Sequence, residues 1–350
     1  MKIVATQLSA SDNSSCAVRS NGTVLCWGLN EEGELGNGTA DNVAVPVRVA
    51  GLTTAVAVFA NGFDACALLS GGSIRCWGSN TSGNLGNGTT VDSRVPVAVS
   101  GITNAVALSM GRLHACALLS EGMVQCWGNN NACGDLGSAA MTESLVPILV
   151  PGISNAVAVS AGSDSTCTIL SDGTVRCWGC SDLGGLRSTA QGGPSPVMVS
   201  GIGGAVAVSV GEGYGCAILS GGSVECWGAN DQLDPGTVAS GRAPQPVSGV
   251  SNAVALAVGG LHTCVVLSGG GVQCWGDNFY GQLGDGTTVD GRVPVSATGI
   301  TSAIAVAVGG SHTCAMLSGG GVRCWGDNSY GQLGNGSIVS SSTPLEVSGL

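Results

Sequence analysis

The sequence predicts an all-β chain: a seven-bladed β-propeller of four-stranded antiparallel blades, closed into a ring. Three observations carry this. The triplet Cys-Trp-Gly recurs seven times, with Trp at 27, 77, 127, 178, 227, 275 and 325, at intervals of 48 to 51 residues. Each interval holds four short apolar, β-prone segments bounded by Gly, Asn and Ser, and no window sustains a helical period. The repeat fills all 350 residues and leaves no stretch for a second domain, and a fixed period of this length with four strands per unit is the signature of a propeller. The units of this single domain run 1–50, 51–100, 101–151, 152–200, 201–248, 249–298 and 299–350.

Within a unit, the second shows the strands clearly: Ala55-Val-Ala-Val58, Cys66-Ala-Leu-Leu69, Ser73-Ile-Arg-Cys-Trp77 and Val95-Pro-Val-Ala-Val99. Blades pack face to face, so both faces of each sheet are buried and the strands read as nearly continuous apolar runs. The second and third strands are joined by Ser-X-Gly (Ser20-Asn-Gly22, Ser70-Gly-Gly72, Ser171-Asp-Gly173), which suits a type I turn followed by a left-handed Gly bulge. Centring that hairpin on Asn21 pairs Arg19 with Thr23, Val18 with Val24, Ala17 with Leu25 and Cys16 with Cys26. The two cysteines fall on a non-hydrogen-bonded site, where Cα atoms lie about 4.5 Å apart, within reach of a disulfide.

The same ten-residue spacing recurs at Cys66–Cys76, Cys116–Cys126, Cys167–Cys177, Cys216–Cys226, Cys264–Cys274 and Cys314–Cys324. We read seven disulfides, one per blade; the alternative is seven pairs of buried thiols. Each closes a short loop and stabilises by about 2–3 kcal/mol at most, so its main effect is to pin the hairpin register. Two of the 16 cysteines fall outside the pattern, Cys133 and Cys180. Both sit in the long loops of adjacent units, and a Cys133–Cys180 disulfide between blades is the preferred reading.

After Cys-Trp-Gly comes the longest loop, Asn-X-X-Gly-X-Leu-Gly-X-Gly-Thr in regular units, as at 278–287. A Pro then opens the fourth strand (Pro46, Pro96, Pro147, Pro196, Pro244, Pro294, Pro344), a position that tolerates its missing N–H at a strand start or sheet edge. A Gly-Leu, Gly-Ile or Gly-Val turn leads to the next unit. Strands alternate direction, so the Gly-X-X-His loop and the post-Trp loop share one rim, and the tight hairpin and the Gly-Leu turn share the other. The terminal segments Ile3–Leu8 and Leu345–Val347 are expected to be neighbours; the repeat alone does not say which strand is innermost.

Composition narrows the function. Charged residues are 9% against about 25% in ordinary domains. The longest apolar runs, such as Ala253 to Val258, fall far short of the roughly 20 residues of a spanning helix, so no membrane span is expected. Net charge is −11 with 11 Lys and Arg, which cannot form a phosphate-tracking stripe and argues against nucleic acid as a partner. Paired cysteines belong to an oxidising compartment, yet the N-terminus has no export signal; a mature form or a piece of a longer precursor is expected.

The run His312-Thr-Cys-Ala-Met-Leu-Ser-Gly-Gly-Gly-Val-Arg-Cys-Trp-Gly-Asp-Asn-Ser-Tyr-Gly-Gln-Leu-Gly334 resembles the repeat of the regulator of chromosome condensation family, in its His-Thr, Trp-Gly-X-Asn and Gly-Gln-Leu-Gly positions. The resemblance covers all seven units and implies a seven-bladed propeller. Cysteines replace the family's usual aliphatic and small residues, which points to a bacterial, extracellular variant. The founding member resembles a nucleotide exchange factor for a small GTPase that also binds chromatin. Exchange in the family goes with a wedge-like insertion, for which these unit lengths leave no room. The plant ultraviolet-B photoreceptor uses Trp two residues before the repeat His, where this chain has Gly260 and Gly310. A bacterial β-lactamase inhibitor of the same fold acts purely as a protein-binding surface.

The candidate chemistry is sparse. His114, His262 and His312 occupy one repeat position, but its other occupants are Ser14, Asp64, Ser165 and Tyr214, which is no ligand set; a structural hydrogen bond to a neighbouring loop is expected. Cys177-Trp-Gly-Cys180 is a formal Cys-X-X-Cys whose first member already belongs to a blade pair. The Gly-rich loops lack the Gly-Lys-Ser/Thr end of a phosphate loop. Asp277, Asp285 and Asp327 do not fit a calcium-binding spacing, and the Asn-X-Ser/Thr sites at Asn13, Asn21, Asn37, Asn80, Asn87 and Asn335 are turn positions. No cofactor, metal or catalytic residue is expected.

The reading is a secreted or cell-surface protein-binding scaffold, not an enzyme: a monomeric domain of a larger precursor whose partner is another protein or a glycan. Binding loops ride on rigid scaffolds, and the rim that varies most between units offers Phe63, Asp64, Arg112, His114, Tyr214, His262 and His312 as contacts. The alternatives are a glycan-binding or enzymatic channel mouth, and an exchange factor for a small GTPase. The irregular post-Trp loops of units three to five mark a possible binding sector or simple drift. Mass spectrometry without reductant should recover seven peptides bridged at ten-residue spacing; free thiols at those positions would remove the extracellular argument.

Overall fold

A computed structural model describes residues 3–131, 133–139, 141–179, 193–228 and 243–350. In the first blade, β1 (Ala5–Ala10), β2 (Ser14–Arg19), β3 (Val24–Gly28) and β4 (Val43–Arg48) pair antiparallel in chain order. Six further four-stranded sheets repeat this order over Ala55–Ala98, Ala105–Leu149, Ala156–Met198, Ala205–Pro246, Ala253–Ser296 and Ala303–Glu346. Among the described residues every regular element is a strand. The seven sheets stand in a ring, because β1 packs against both the first strand of the second blade (Ala55–Asn61) and that of the seventh (Ala303–Val308).

The innermost strand is therefore the Ala-Val-Ala-Val segment, which lines the central channel. Its small side chains let seven wedges converge on one axis. The chain ends lie in different blades: β1 is the inner strand of the first, and Ser341–Glu346 the outer strand of the seventh. They meet in one interblade core, where Leu8 and Trp27 pack with Val347 and Leu345. Each blade is one continuous stretch of chain, and the ring closes by side-chain packing and interblade hydrogen bonds.

The hairpin register is the one the turn dictates. Cys16 faces Cys26, Ala17 faces Leu25 and Val18 faces Val24. The Arg19 N–H donates to the Thr23 carbonyl at 2.8 Å, and the Gly22 N–H to the Arg19 carbonyl at 2.8 Å. Gly22 takes φ 73°, the left-handed conformation that a side chain disfavours. All seven blade disulfides are present, with Cα atoms 4.0–4.1 Å apart. The Cys133–Cys180 pairing lies outside the described residues at Cys180. The fourth strand differs slightly from expectation: Pro46 and Pro96 sit inside β4 and inside Ser93–Ala98 instead of opening them. These strands are outermost and bond on one side only, so the missing N–H is not needed.

The post-Trp loops of the first, second, third, sixth and seventh blades are each built around one asparagine and lock onto the next blade. Asn30 Oδ1 accepts from the Leu35 N–H at 2.9 Å, and its Nδ2 donates to the Thr39 and Asp41 carbonyls; Asn80, Asn278 and Asn328 repeat this pattern. The loop so shaped presents a carbonyl to the following blade's indole. Trp77 donates to Glu34, Trp127 to Asn84, Trp178 to Asp135, Trp325 to Gln282 and Trp27 to Gln332, at 2.7–2.9 Å. For Trp227 and Trp275 the corresponding loops lie outside the described residues.

Two consecutive loop positions, both glycine in the sixth and seventh blades, have different reasons for being glycine. A Cβ on Gly211 would stand 2.1 Å from the Gly259 carbonyl oxygen of the next blade, and one on Gly259 would stand 2.4 Å from the Gly309 oxygen. Neither needs positive φ; it is the neighbouring blade that excludes a side chain. At Gly260 the nearest atom lies 3.8 Å away, an ordinary contact. Gly211→Ala should therefore lower stability by about 1–3 kcal/mol, read as a fall in denaturation midpoint, whereas Gly260→Ala should leave it nearly unchanged. Equal midpoints for the two variants would contradict this account of ring closure.

Candidate interaction rim

The rim carrying the Gly-X-X-His and post-Trp loops is held by a polar network that runs from blade to blade. His114 Nε2 lies 2.9 Å from Thr166 Oγ1, His262 Nε2 2.7 Å from Thr313 Oγ1 and His312 Nε2 2.8 Å from Ser15 Oγ. Tyr214 reaches Thr263 Oγ1 at 3.0 Å in the same way. The hydroxyl in turn donates to the loop carbonyl that the indole uses: Thr313 to Gln282 at 2.9 Å and Ser15 to Gln332 at 3.1 Å. With that proton committed, the imidazole must donate through Nε2, which leaves Nδ1 of His262 and His312 bare, buried and without a partner.

This pairing is complete along the chain. Where the repeat position holds His or Tyr, the next blade supplies Thr166, Thr263, Thr313 or Ser15. Where it holds Ser14, Asp64 or Ser165, the next blade supplies Ala65, Ala115 or Gly215. The covariation is visible in the sequence, but only once the neighbour one unit on is known to be the partner.

Burial keeps these histidines neutral. It lowers His114 and His312 to about 4 and His262 to about 3, the last helped by the nearby His312. They are structural donors, and with Asp64 and Tyr214 they are removed from the surface: none of the five exceeds 4% exposure. The expectation that they contact a partner is thereby corrected, because the space they would need to reach into is filled by the next blade. Of the seven rim residues singled out, Phe63 is 43% exposed and Arg112 is also exposed. Sequence reasoning did not single out Leu113 and Leu261, exposed at the loop tip that Phe63 occupies in the second blade; it favoured the histidine next to each of them.

At the axis the loops surround a channel mouth with a cavity of about 150 Å³, to which all seven blades contribute. Its chemistry is uneven. Asp12, Arg112 and Glu212 occupy the position that is Gly62, Gly260 and Gly310 in other blades. Crowding at the mouth holds the Asp12 carboxyl above its usual range, and Arg112 partly offsets this. Other acidic groups are engaged: Asp277 and Asp327 accept from Gln282 and Gln332, and Asp285 caps Thr287. Asn80 is fully buried, so its Asn-X-Ser motif is not open to a glycan. Cys177 is bonded to Cys167, and the irregular segments 180–192 and 229–242 lie outside the described residues.

The sequence matches two family models of the regulator of chromosome condensation (RCC1) repeat. One covers residues 5–34, 105–143, 156–184, 253–282 and 303–332; the other covers 21–68, 72–118, 269–316 and 319–350. No curated protein matches the chain. Among solved structures the fold is similar to Prp20p from Saccharomyces cerevisiae, at 19% identity over 99% of this chain and 87% of that one, TM-score 0.81. It is also similar to human WBSCR16, at 20% identity over 89% and 86%, TM-score 0.80. The ectodomain of the Arabidopsis thaliana receptor kinase ACR4 follows at 21% identity over 97% and 98%, TM-score 0.57. At such identities the likeness is one of fold.

The network gives a quantitative expectation. A double-mutant cycle of His114→Ser and Thr166→Ala, which recreates the Ser14–Ala65 combination, should show a coupling of about 1 kcal/mol. Because the folded histidines resist protonation, their contribution to stability should be constant above pH about 6.5 and should fall below it as the unfolded chain takes up protons first. Additive effects within about 0.3 kcal/mol would place no bond between the two side chains.

Proposed function

Because the chain belongs to the regulator of chromosome condensation (RCC1) repeat family, we propose that it is a non-catalytic, protein-binding scaffold that works outside the cell or at its surface. The observation that carries this is the division of labour on the variable rim. The repeated polar groups bond one another across blades, while the tips that differ between blades, Phe63, Leu113 and Leu261 with Arg112 and Glu212 beside them, stand exposed. Exposed apolar groups beside charge on a rigid support are the makings of a protein-binding patch. Seven disulfides favour an oxidising compartment. The fold has precedent in both respects: Prp20p has been crystallised bound by Kap60 and characterised for binding to Gsp1p and histones, and the ACR4 structure is a receptor ectodomain. The acidic balance of this chain turns nucleic acid away.

Affinity capture from the surface fraction of the source cells, followed by variants, tests the proposal. Phe63→Ala combined with Leu261→Ala should weaken the captured partner about tenfold or more with an unchanged melting temperature, and Arg112→Glu should alter the salt dependence of binding. Full binding by both would move the contact surface elsewhere. Accelerated nucleotide release from a small GTPase by the purified chain would replace the non-catalytic reading.

A further inference from the structure

The seam around the second blade breaks the network's pattern. Asp64 stands where other blades place His or Tyr, and the next blade answers with Ala115 instead of a hydroxyl. Its carboxyl is 4% exposed and bonds Asn84, but its Oδ1 has no partner. Beside it, on the first blade's post-Trp loop, Glu34 is 1% exposed; its Oε2 accepts from the Glu32 N–H at 2.9 Å and its Oε1 also has no partner. In the sixth and seventh blades this loop position is Gln282 and Gln332. Their oxygens accept from Tyr280 and Tyr330, and their nitrogens donate to Asp277 and Asp327. The first blade has Glu34 for that glutamine and Leu29 for that aspartate, so an acceptor stands where the others have a donor.

We infer that this seam is a proton-binding site: Asp64, coupled to Glu34, carries a proton in the folded protein, and losing it as pH rises loosens the first blade's loop from the second blade. The physical reason is the absence of compensation. Two buried carboxylates with orphaned oxygens are costly when both are ionised. The charge acting on Asp64 is that of Glu34, and those acting on Glu34 are the rim carboxylates Glu32 and Glu31; no basic side chain among the described residues offsets either. The aliphatic stem of Arg94 packs at Gly33 in the same loop, yet its charge lowers neither carboxyl. Burial raises both groups first; the charge of Glu34 then raises Asp64 further, and those of Glu32 and Glu31 raise Glu34. A neutral carboxylic acid removes the charge and keeps the Asn84 contact. Phe63 immediately precedes Asp64, so loosening this seam also moves an exposed tip of the variable rim; the test does not depend on that rim's partner.

The sign follows from linkage. A carboxyl raised above its unfolded value contributes stability that is full below that unfolded value, about 3.9 for Asp, and is lost as pH rises through the folded value. The three histidines impose the opposite trend below pH about 6.5, in parent and variant alike, so the difference between them isolates Asp64. Melting temperatures of the intact, oxidised chain should show Asp64→Asn gaining about 2 °C or more on the parent at pH 8 relative to their difference at pH 5. A difference that is the same at both values overturns the inference. Glu34→Gln, which restores the residue of the sixth and seventh blades, should flatten the parent's loss at alkaline pH; an unaltered profile counts against it. Carbon-detected NMR titration of the Asp64 carboxyl in the parent needs no variant. A midpoint in the ordinary carboxylate range would overturn the proposal.

Discussion

In the five seams whose post-Trp loop is described, one carbonyl clasps each blade to the next. The post-Trp loop, shaped by a buried asparagine, aims this carbonyl at the next blade, where it accepts the tryptophan indole and, in three seams, a serine or threonine hydroxyl as well. A propeller has no hydrogen-bonded sheet running between blades, so each seam must be closed by side chains and by such contacts. A buried indole without an acceptor would cost roughly 1–3 kcal/mol. The loop therefore works as a clasp, and its glycines, leucine and asparagine are fixed by that task.

The second constraint is the axis. Seven wedges can meet only if nothing projects between them at the narrow end, and the collar glycines meet this demand by letting one blade's backbone touch the next blade's carbonyl. The disulfides act at a different level. They lie inside single blades and span ten residues, so they fix each hairpin without joining blades. In the described residues the ring depends on packing and the clasp, while its parts depend on sulfur.

What is left for function is whatever the clasp does not use. The histidines, the tyrosine of the fifth blade and the tryptophans are all committed inside. Among the described residues, the differences between blades survive at loop tips, at the uneven channel mouth, and in the buried acidic seam of the second blade. Such a molecule is suited to presenting a stiff, patterned rim; its His–Ser and His–Thr contacts are buried between blades.

Much of this was legible along the chain. The blade number follows from the recurrence of Cys-Trp-Gly, and the hairpin register and disulfides from counting outward from Asn21, because these are local consequences of turn geometry. The rim contacts were read less well. Asp64, His114, Tyr214, His262 and His312 vary between units as binding residues do, yet their variation tracks the residue preceding the cysteine one unit later. Sequence alone determined the elements, their order and their internal pairing, since each rests on neighbours within about 30 residues. Only the tertiary structure decided which strand lies innermost, which glycines are sterically required and which polar groups are hidden. Those depend on a surface some fifty residues away, which exists only once the blades have been brought together.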